Sequence, residues 1–379
     1  MAWGRGTGAA SYQGALRNAV AAAGYRVEAL VDALPGACTP LGRVRRWAAA
    51  AWPGSARTGS PTAGERLAPD VFRRAQVHFD VHGRYLRLRG PAPPALMHWS
   101  YPLPLRMAGV PNVYSVLDLI PLLQPELTPI RQDRAARMLR RLAKEAAHLT
   151  TISEASRREI VGALGWPPGR VTNVSLSVDV SGAAPVADAC AAAGVVPGGF
   201  WLHAGTVERR KNVARLVAAY RASGSGRALV LAGPDGWGAA EELAGAGDLL
   251  AAPPGMPRVV RIDWMARPAL LGLMAGAAAV LAPSLAEGFG LPAMEAMALG
   301  TPALTSRGGA PEEAAGGAAL LVDALDVRDM AAGIAALDGD AHRRTDLAVA
   351  GRVRAAAFTT GAFAARLAAL YRQILGTGA

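Results

Sequence analysis

Cysteine is almost missing from this chain: Cys38 and Cys190 are the only two among 379 residues, far apart and without metal-like spacing. That excludes a disulfide scaffold and a cysteine-based zinc site, and points to free thiols in a reducing cytoplasm. No apolar run reaches the roughly 20 residues needed to cross a bilayer. Met1-Ala2-Trp3-Gly4-Arg5-Gly6 has neither the apolar core nor the cleavage pattern of a signal peptide. No His/Cys cluster is evident, so no metal site is expected. Aromatic residues make up 6% and are not interleaved with the basic ones in a stacking pattern. With no nucleic-acid motif beside the charge, nucleic acid is not an expected partner.

What is present bounds the answer further. A chain of this length exceeds one ordinary core and predicts two domains, and 51% hydrophobic residues can fill both. The excess of Ala, Gly, Arg and Pro is compositional bias rather than disorder, because apolar periodicity persists through it. The net charge of +11 is uneven: residues 1–185 hold 23 Lys+Arg against 12 Asp+Glu, while residues 186–379 hold 17 of each. The basic residues cluster at 43–46, 73–74, 84–89 and 131–144; in the last, Arg134, Arg137, Arg140, Arg141 and Lys144 recur at helical intervals. An anionic membrane surface, attractive at ~1 kcal/mol per nearby basic residue, fits this better than nucleic acid does. A plain solvated face and an acidic substrate fit it too.

Along the chain, helix-like and strand-like segments alternate. The first half has helical composition at 11–23 and 131–148, and strand-like runs at 25–31, 77–80, 95–98, 112–117 and 149–152. Residues 34–68 are expected to be loops with short helices, and Ser153 to cap a following helix. The Ala/Pro/Gly-rich stretch 182–198 has the composition of an interdomain linker. Beyond it, strand-like runs at 200–203, 227–232, 259–262, 279–282, 301–304 and 319–322 are separated by helical segments. That repeat predicts a doubly wound parallel sheet. The expected division is a first Rossmann-like domain at 1–185, a second at 186–360, and a C-terminal helical segment, 361–379, crossing back. Two such domains leave a cleft between the carboxyl ends of their strands, where ligands bind.

Two segments at strand ends carry the chemistry. The first is Gly205-Thr206-Val207-Glu208-Arg209-Arg210-Lys211-Asn212, a glycine turn followed by adjacent cations at a helix start. Such a group can hold a diphosphate and neutralise charge developing on it as a leaving group. An Arg-Arg-Lys run elsewhere is ordinarily a solvated surface. The second is Glu287-Gly288-Phe289-Gly290-Leu291-Pro292-Ala293-Met294-Glu295, with Pro292 suited to a first helical turn. Carboxylates accept from sugar hydroxyls, and helix-start amides attract phosphate, so one loop can hold both halves of a sugar nucleotide. The plainer alternative makes Glu295 a partner of the helix dipole and Glu287 a solvated loop residue.

Together these segments resemble the two hallmark motifs of family 4 glycosyltransferases, retaining enzymes of the GT-B fold with two Rossmann-like domains facing a cleft. Thr151-Ile152-Ser153-Glu154-Ala155-Ser156, Leu231-Ala232-Gly233-Pro234 and Gly308-Gly309-Ala310-Pro311-Glu312 extend the likeness from about residue 151 to the C-terminus. In the first half, His98-Trp99-Ser100-Tyr101-Pro102 and Leu117-Asp118-Leu119-Ile120-Pro121 resemble acceptor-side segments of bacterial polysaccharide mannosyltransferase-like members. The resemblance implies transfer of a hexose from a nucleotide-diphosphate sugar to a glycan or lipid-linked oligosaccharide, without metal or other cofactor. It implies that Lys211, helped by Arg210, binds the donor diphosphate, with Gly205 and Thr206 in the same loop. It also implies that Glu287 meets hydroxyls of the transferred sugar, Glu295 the ribose hydroxyls, and the amides of Phe289, Gly290 and Leu291, next to Gly288, sugar or phosphate oxygens. Gly6, Gly8, His98 and Asp118 fall on the acceptor side. A cytoplasmic protein bound peripherally to the inner membrane face follows from the same reading.

The chain also departs from that pattern. Leu117 stands where many relatives have histidine, leaving His98 to supply a cleft imidazole. Thr206 stands where some have arginine. Gly6-Thr7-Gly8 resembles the first acceptor-domain loop with almost no strand before it, so the expectation is a first strand lost or encoded upstream. An in-frame upstream start would support that expectation and an upstream stop codon would exclude it. Two rivals are weak: an NAD-linked enzyme lacks its third glycine and acidic residue, and a nucleotide-sugar epimerase does not need the Glu287/Glu295 pair. A degenerate subunit that binds donor or partner without turnover remains the alternative reading.

Overall fold

The computed structural model describes residues 8–33, 50, 52, 54–62 and 64–376. In the first half the strands are β1 (Ala29–Ala33), β2 (Ala56–Arg57), β3 (Glu65–Pro69), β4 (Leu86–Arg89), β5 (Met97–Trp99), β6 (Leu105–Met107), β7 (Asn112–Ser115), β8 (His148–Thr151) and β9 (Val171–Asn173). They form three small sheets, β1-β3, β2-β4-β6 and β5-β7-β8-β9, with every named pair parallel. The second half holds β10 (Phe200–Ala204), β11 (Ala228–Ala232), β12 (Val259–Ile262), β13 (Ala279–Ala282), β14 (Ala303–Ser306) and β15 (Leu320–Val322). These make one parallel sheet in the order β12-β11-β10-β13-β14-β15. Helices cover both its faces, which is why β10 is buried at every position and is apolar apart from His203.

Two expectations need correction. Residues 77–80 are not a strand but part of the helix Val71–His82. Val71, Ala75, His78 and Phe79 are its buried residues, the i, i+4, i+7, i+8 spacing of one helical face, and four alternating residues were too few to outweigh it. The stretch 182–198 is not a free linker. It contains the helix Val186–Ala192, with Ala189 and Cys190 buried. This helix lies so close to the helix Arg267–Gly276 that a Cβ on Gly276 would come within 2.7 Å of the Cys190 sulfur.

The helix Gln132–Glu145 buries Ala135, Ala136, Met138, Leu139 and Leu142 and turns its arginines outward. Ser153 caps the helix Glu154–Leu164 by accepting from the Ser156 amide. The last helix, Thr360–Leu375, is capped by Thr359 and buries Phe363, Leu367, Leu370 and Tyr371. Phe363 and Tyr12, on the helix Gly8–Ala22, belong to one apolar cluster with Ile152 and Val174 of the first half and Phe200 and Leu202 of the second. The halves therefore share a core at their junction.

Candidate active site

In the six-stranded sheet, β10 and β13 are neighbours, and chain order runs away from them in opposite directions. Loops leaving the carboxyl ends of two such strands diverge and leave a crevice, the switch point where ligands of doubly wound sheets bind. The loop after β10 carries Gly205 to Lys211, and the loop after β13 carries Glu287 to Gly290. The two hallmark segments, 76 residues apart in the Lys211–Glu287 pair, therefore meet.

Backbone contact ties them together, the Leu285 amide donating to the Arg210 carbonyl at 2.8 Å, and the loop after β11 packs closely behind the first of them. Gly233, after β11, has φ of 147°, and a Cβ there would lie 2.1 Å from the Gly205 carbonyl oxygen. Only glycine fits that position. Asn212 adopts a left-handed conformation at the start of the helix Val213–Ser223. Its buried side-chain amide donates to the carbonyls of Pro283 at 3.0 Å and Ala324 at 2.7 Å, fastening one loop to the other.

Charge is concentrated at the junction. Lys211, only 8% exposed, donates to Glu287 Oε1. Arg210 donates to Glu287 Oε2 at 2.8 Å, to the Ala286 carbonyl at 3.2 Å and to Glu208 at 2.7 Å. Ser284 donates to Glu287 Oε1 at 2.9 Å. Burial opposes ionisation of Glu287, but the Lys211 ammonium and Arg210 guanidinium outweigh it and hold the pKa down to about 2. Burial works against the Arg210 charge as well, and Glu287, Glu208 and Asp118 more than compensate, raising its pKa. Glu287 is thus a permanent carboxylate and Arg210 a permanent cation.

Glu295, in the first turns of the helix Leu291–Leu299, is 3% exposed. Burial raises its pKa, against the opposing pull of Arg267, which donates to Glu295 at 2.7 Å and to the Asp179 carbonyl at 2.9 Å. Gly290, at φ of 90°, caps this helix, and the amides of Gly290 and Leu291 have no acceptor among the described residues. Asp118 lies across the crevice, its pKa raised by burial, and accepts from the Ile120 amide at 3.1 Å. One cavity of about 500 Å³ is lined by Gly205, Thr206, Arg210, Lys211, Asp118, residues 287–292 and Glu295. Ser11 and Tyr12, on the helix that Gly8 opens, reach it too, while Gly6 lies outside the described residues.

His98 is elsewhere, which corrects the expectation of a cleft imidazole. It lines a second cavity, of about 730 Å³, and its ring is held by Tyr371 at 2.5 Å, Ser115 at 2.9 Å and Thr150 at 3.2 Å. Burial lowers its pKa to about 3, so it is neutral. Its short strand β5 aims the ring along the sheet toward Ser115 rather than out of the strand end. Residues not anticipated from the sequence are Arg267 and Ser284, and the fastening role of Asn212 in the first segment is new as well. Arg267 precedes Pro268 at a helix start and carries no signal of its own. Lys211 did carry an unused one: of 40 basic residues only Lys144 and Lys211 are lysines. In so arginine-biased a chain, a buried lysine marks a place where a compact point charge is wanted.

Residues 200–340 match the family model described as glycosyl transferases group 1. The chain is 35% identical over 240 residues to a D-inositol 3-phosphate glycosyltransferase of Thermobispora bispora, covering 59% of this chain and 55% of the relative. It is 30% identical over 237 residues to O-antigen chain mannosyltransferase B of Escherichia coli, covering 55% and 56%. The chain thus spans about half the length of the curated relatives it matches. Among solved structures it is similar to a sucrose-phosphate synthase from Thermosynechococcus elongatus, with TM-score 0.74, 21% identity and coverage of 98% and 94%. It is also similar to Anabaena HepE in complex with UDP-glucose, with TM-score 0.67, 17% identity and coverage of 98% and 97%. With its hallmark loops joined at the switch point of a two-domain parallel-sheet fold, the chain resembles family 4 glycosyltransferases in sequence, over residues 200–340 above all, and is GT-B in fold.

Proposed function

We propose that the protein is a retaining, metal-independent glycosyltransferase that moves a hexose from a nucleotide-diphosphate sugar to a glycan or lipid-linked oligosaccharide. The observation that carries this reading is the Lys211–Glu287–Arg210 triad beside the helix-start amides of Gly290 and Leu291 in one cavity. Glu287 keeps the two cations ordered. When a donor enters, its diphosphate takes up Lys211, Arg210 and the free amides, and its sugar hydroxyls donate to Glu287. Ribose hydroxyls donate to Glu295.

In the transfer step the bond between the anomeric carbon and the diphosphate oxygen breaks, and the acceptor oxygen bonds to that carbon on the same face. The acceptor proton passes to the departing phosphate oxygen, so configuration is kept. Lys211 and Arg210 neutralise the charge left on the diphosphate, the work that a metal does in other transferases. The names of the curated relatives favour a hexose such as mannose and a saccharide or inositol phosphate acceptor. The outward arginines of the helix Gln132–Glu145 favour an acceptor met at an anionic inner membrane surface, with the protein in the cytoplasm.

Thermal-shift titration with UDP, GDP, ADP and their sugar conjugates in EDTA tests the donor site. Stabilisation by one nucleotide, rising with its concentration and abolished by Lys211→Ala, is the expected result. No stabilisation by any of them would sink the proposal.

A further inference from the structure

One interdomain contact lies outside the donor site and yet adjoins it on both sides. The backbone amides of Glu154 and Ala155, the first two of the helix Glu154–Leu164 in the first half, each donate at 2.7 Å to the carboxylate of Glu313. Glu313 belongs to the second half, on the helix Gly309–Ala315. Ser153 takes the Ser156 amide at 3.1 Å, so the N-terminus of this 11-residue helix is filled partly by its own half and partly by the other. Arg354 donates at 2.8 Å to the carbonyls of Ala314 and Glu313, which fixes the end of the short helix that carries the carboxylate.

The contact completes a closed path of contacts beside the crevice. From Glu313 the short helix leads back to Pro311, whose Cα would be 3.4 Å from a Cβ on Gly290. Gly288, in the same donor loop, lies so close to the first half that a Cβ there would meet the Leu117 carbonyl at 2.5 Å. That carbonyl accepts from Ser156 Oγ at 3.1 Å, which returns the path to the helix that Glu313 caps. Asp118, next to Leu117, and Glu287, next to Gly288, face the same cavity. The separation of acceptor side and donor side is thus set on one flank by backbone contact and on the other by a charge-assisted cap.

We propose that Glu313 is a positioning residue that latches the two halves closed, holding Asp118 against the donor loop through the N-terminus of the helix Glu154–Leu164. It touches no substrate. For transfer, the inference rests on the glycosyltransferase reading; for closure, it stands alone. Removing the carboxylate leaves two helix-start amides open to water and lets the crevice widen, without altering Lys211, Glu287 or Glu295.

The test uses the full chain with Glu313→Ala and Glu313→Gln. In solution scattering, Glu313→Ala should show a larger radius of gyration than the parent, with unchanged far-UV circular dichroism. Its kcat for transfer should fall about tenfold to a hundredfold, while the nucleotide Kd from thermal shift stays within about twofold. Glu313→Gln, which keeps one acceptor oxygen, should fall between. Equal scattering and equal kcat in all three proteins overturn the latch. So does a loss of nucleotide affinity as large as the loss of kcat, because Glu313 would then be shaping the donor site itself. If the parent transfers no sugar from any donor, the functional proposal fails, and the scattering comparison still decides whether Glu313 holds the halves together.

Discussion

Strands β10 to β15 lie in one continuous sheet, whereas the nine described strands before them fall into sheets of two, three and four. The continuous half is electrically neutral, and the divided half carries the whole net charge. The difference separates two ways of building a crevice. One wall is a rigid parallel sheet whose strand ends fix charged groups within hydrogen-bond distance of one another. The other is assembled from short strands and loops, and its place depends on what it packs against. Much of that packing is the shared apolar cluster, in which Phe363 of the last helix is fully buried.

The largest expected effect breaks the comparison at this point. Phe363→Ala should cost about 3–5 kcal/mol, the usual range for deleting a buried aromatic ring. Calorimetry should show one transition at lower temperature if the halves unfold through their common core. Two separated transitions would mean that the halves are independent units and that the cluster only glues them.

Within the rigid wall, Lys211→Ala should reduce sugar transfer by about 2–3 orders of magnitude if the ammonium neutralises the leaving diphosphate. It also strips Glu287 of its nearest cation. Near-normal turnover in a steady-state assay would remove that role. A comparable loss from Asp118→Asn, on the other wall, would show that the divided half contributes as much chemistry as the continuous one.

Legibility in the sequence follows the same division. The second sheet was readable because strands covered on both faces are apolar runs, such as Ala228-Leu229-Val230-Leu231-Ala232, punctuated by glycine. The pair of loops was readable because cations and carboxylates at strand ends have few structural reasons to be there. In the first half, β2 has two residues and β6 has three, too short for any periodicity to register. Helix Val71–His82 was misread because four of its residues alternate. The position of His98 was illegible for another reason. A histidine at a strand end can point along the sheet or out of it, and only its neighbours Ser115, Thr150 and Tyr371 decide. Arg267 was invisible because its partner Glu295 lies 28 residues away.

The two carboxylates that follow β13, Glu287 and Glu295, sharpen the comparison within the rigid wall, since their pKa shifts have opposite sign. Glu287, held down to about 2, adds stability above its ordinary value of 4.5 and loses it as pH falls through 2. Glu295, raised by burial despite Arg267, is unfavourable when ionised and gains stability as pH falls toward 4.5. Melting temperatures should therefore fall less steeply below pH 4.5 in Glu287→Gln than in the parent. Glu295→Gln should lose the gain that the parent shows between neutral pH and 4.5, and it should bind nucleotide about tenfold more weakly. Parallel melting curves in all three proteins would mean that neither shift is present.

The smallest expected effect concerns the outer face of the divided half. On the helix Gln132–Glu145, Arg131 and Arg137 share Asp133, Arg134 meets Asp80, and Arg141 meets Glu145. These pairs cancel part of the field that the sequence suggested. Arg140 and Lys144 are exposed and form no ion pair among the described residues. They should therefore contribute more to attraction than the paired arginines do. At up to ~1 kcal/mol for each basic residue near an anionic surface, Arg140→Gln with Lys144→Gln should weaken binding to phosphatidylserine vesicles about tenfold. The loss should be larger at low ionic strength, where the Debye length is longer. Arg131→Gln with Arg137→Gln should change binding less, because the released Asp133 adds repulsion while it removes a pair that was already nearly neutral. Equal losses from the two double variants would show that only total charge matters. No loss from either would exclude this helix as the membrane face.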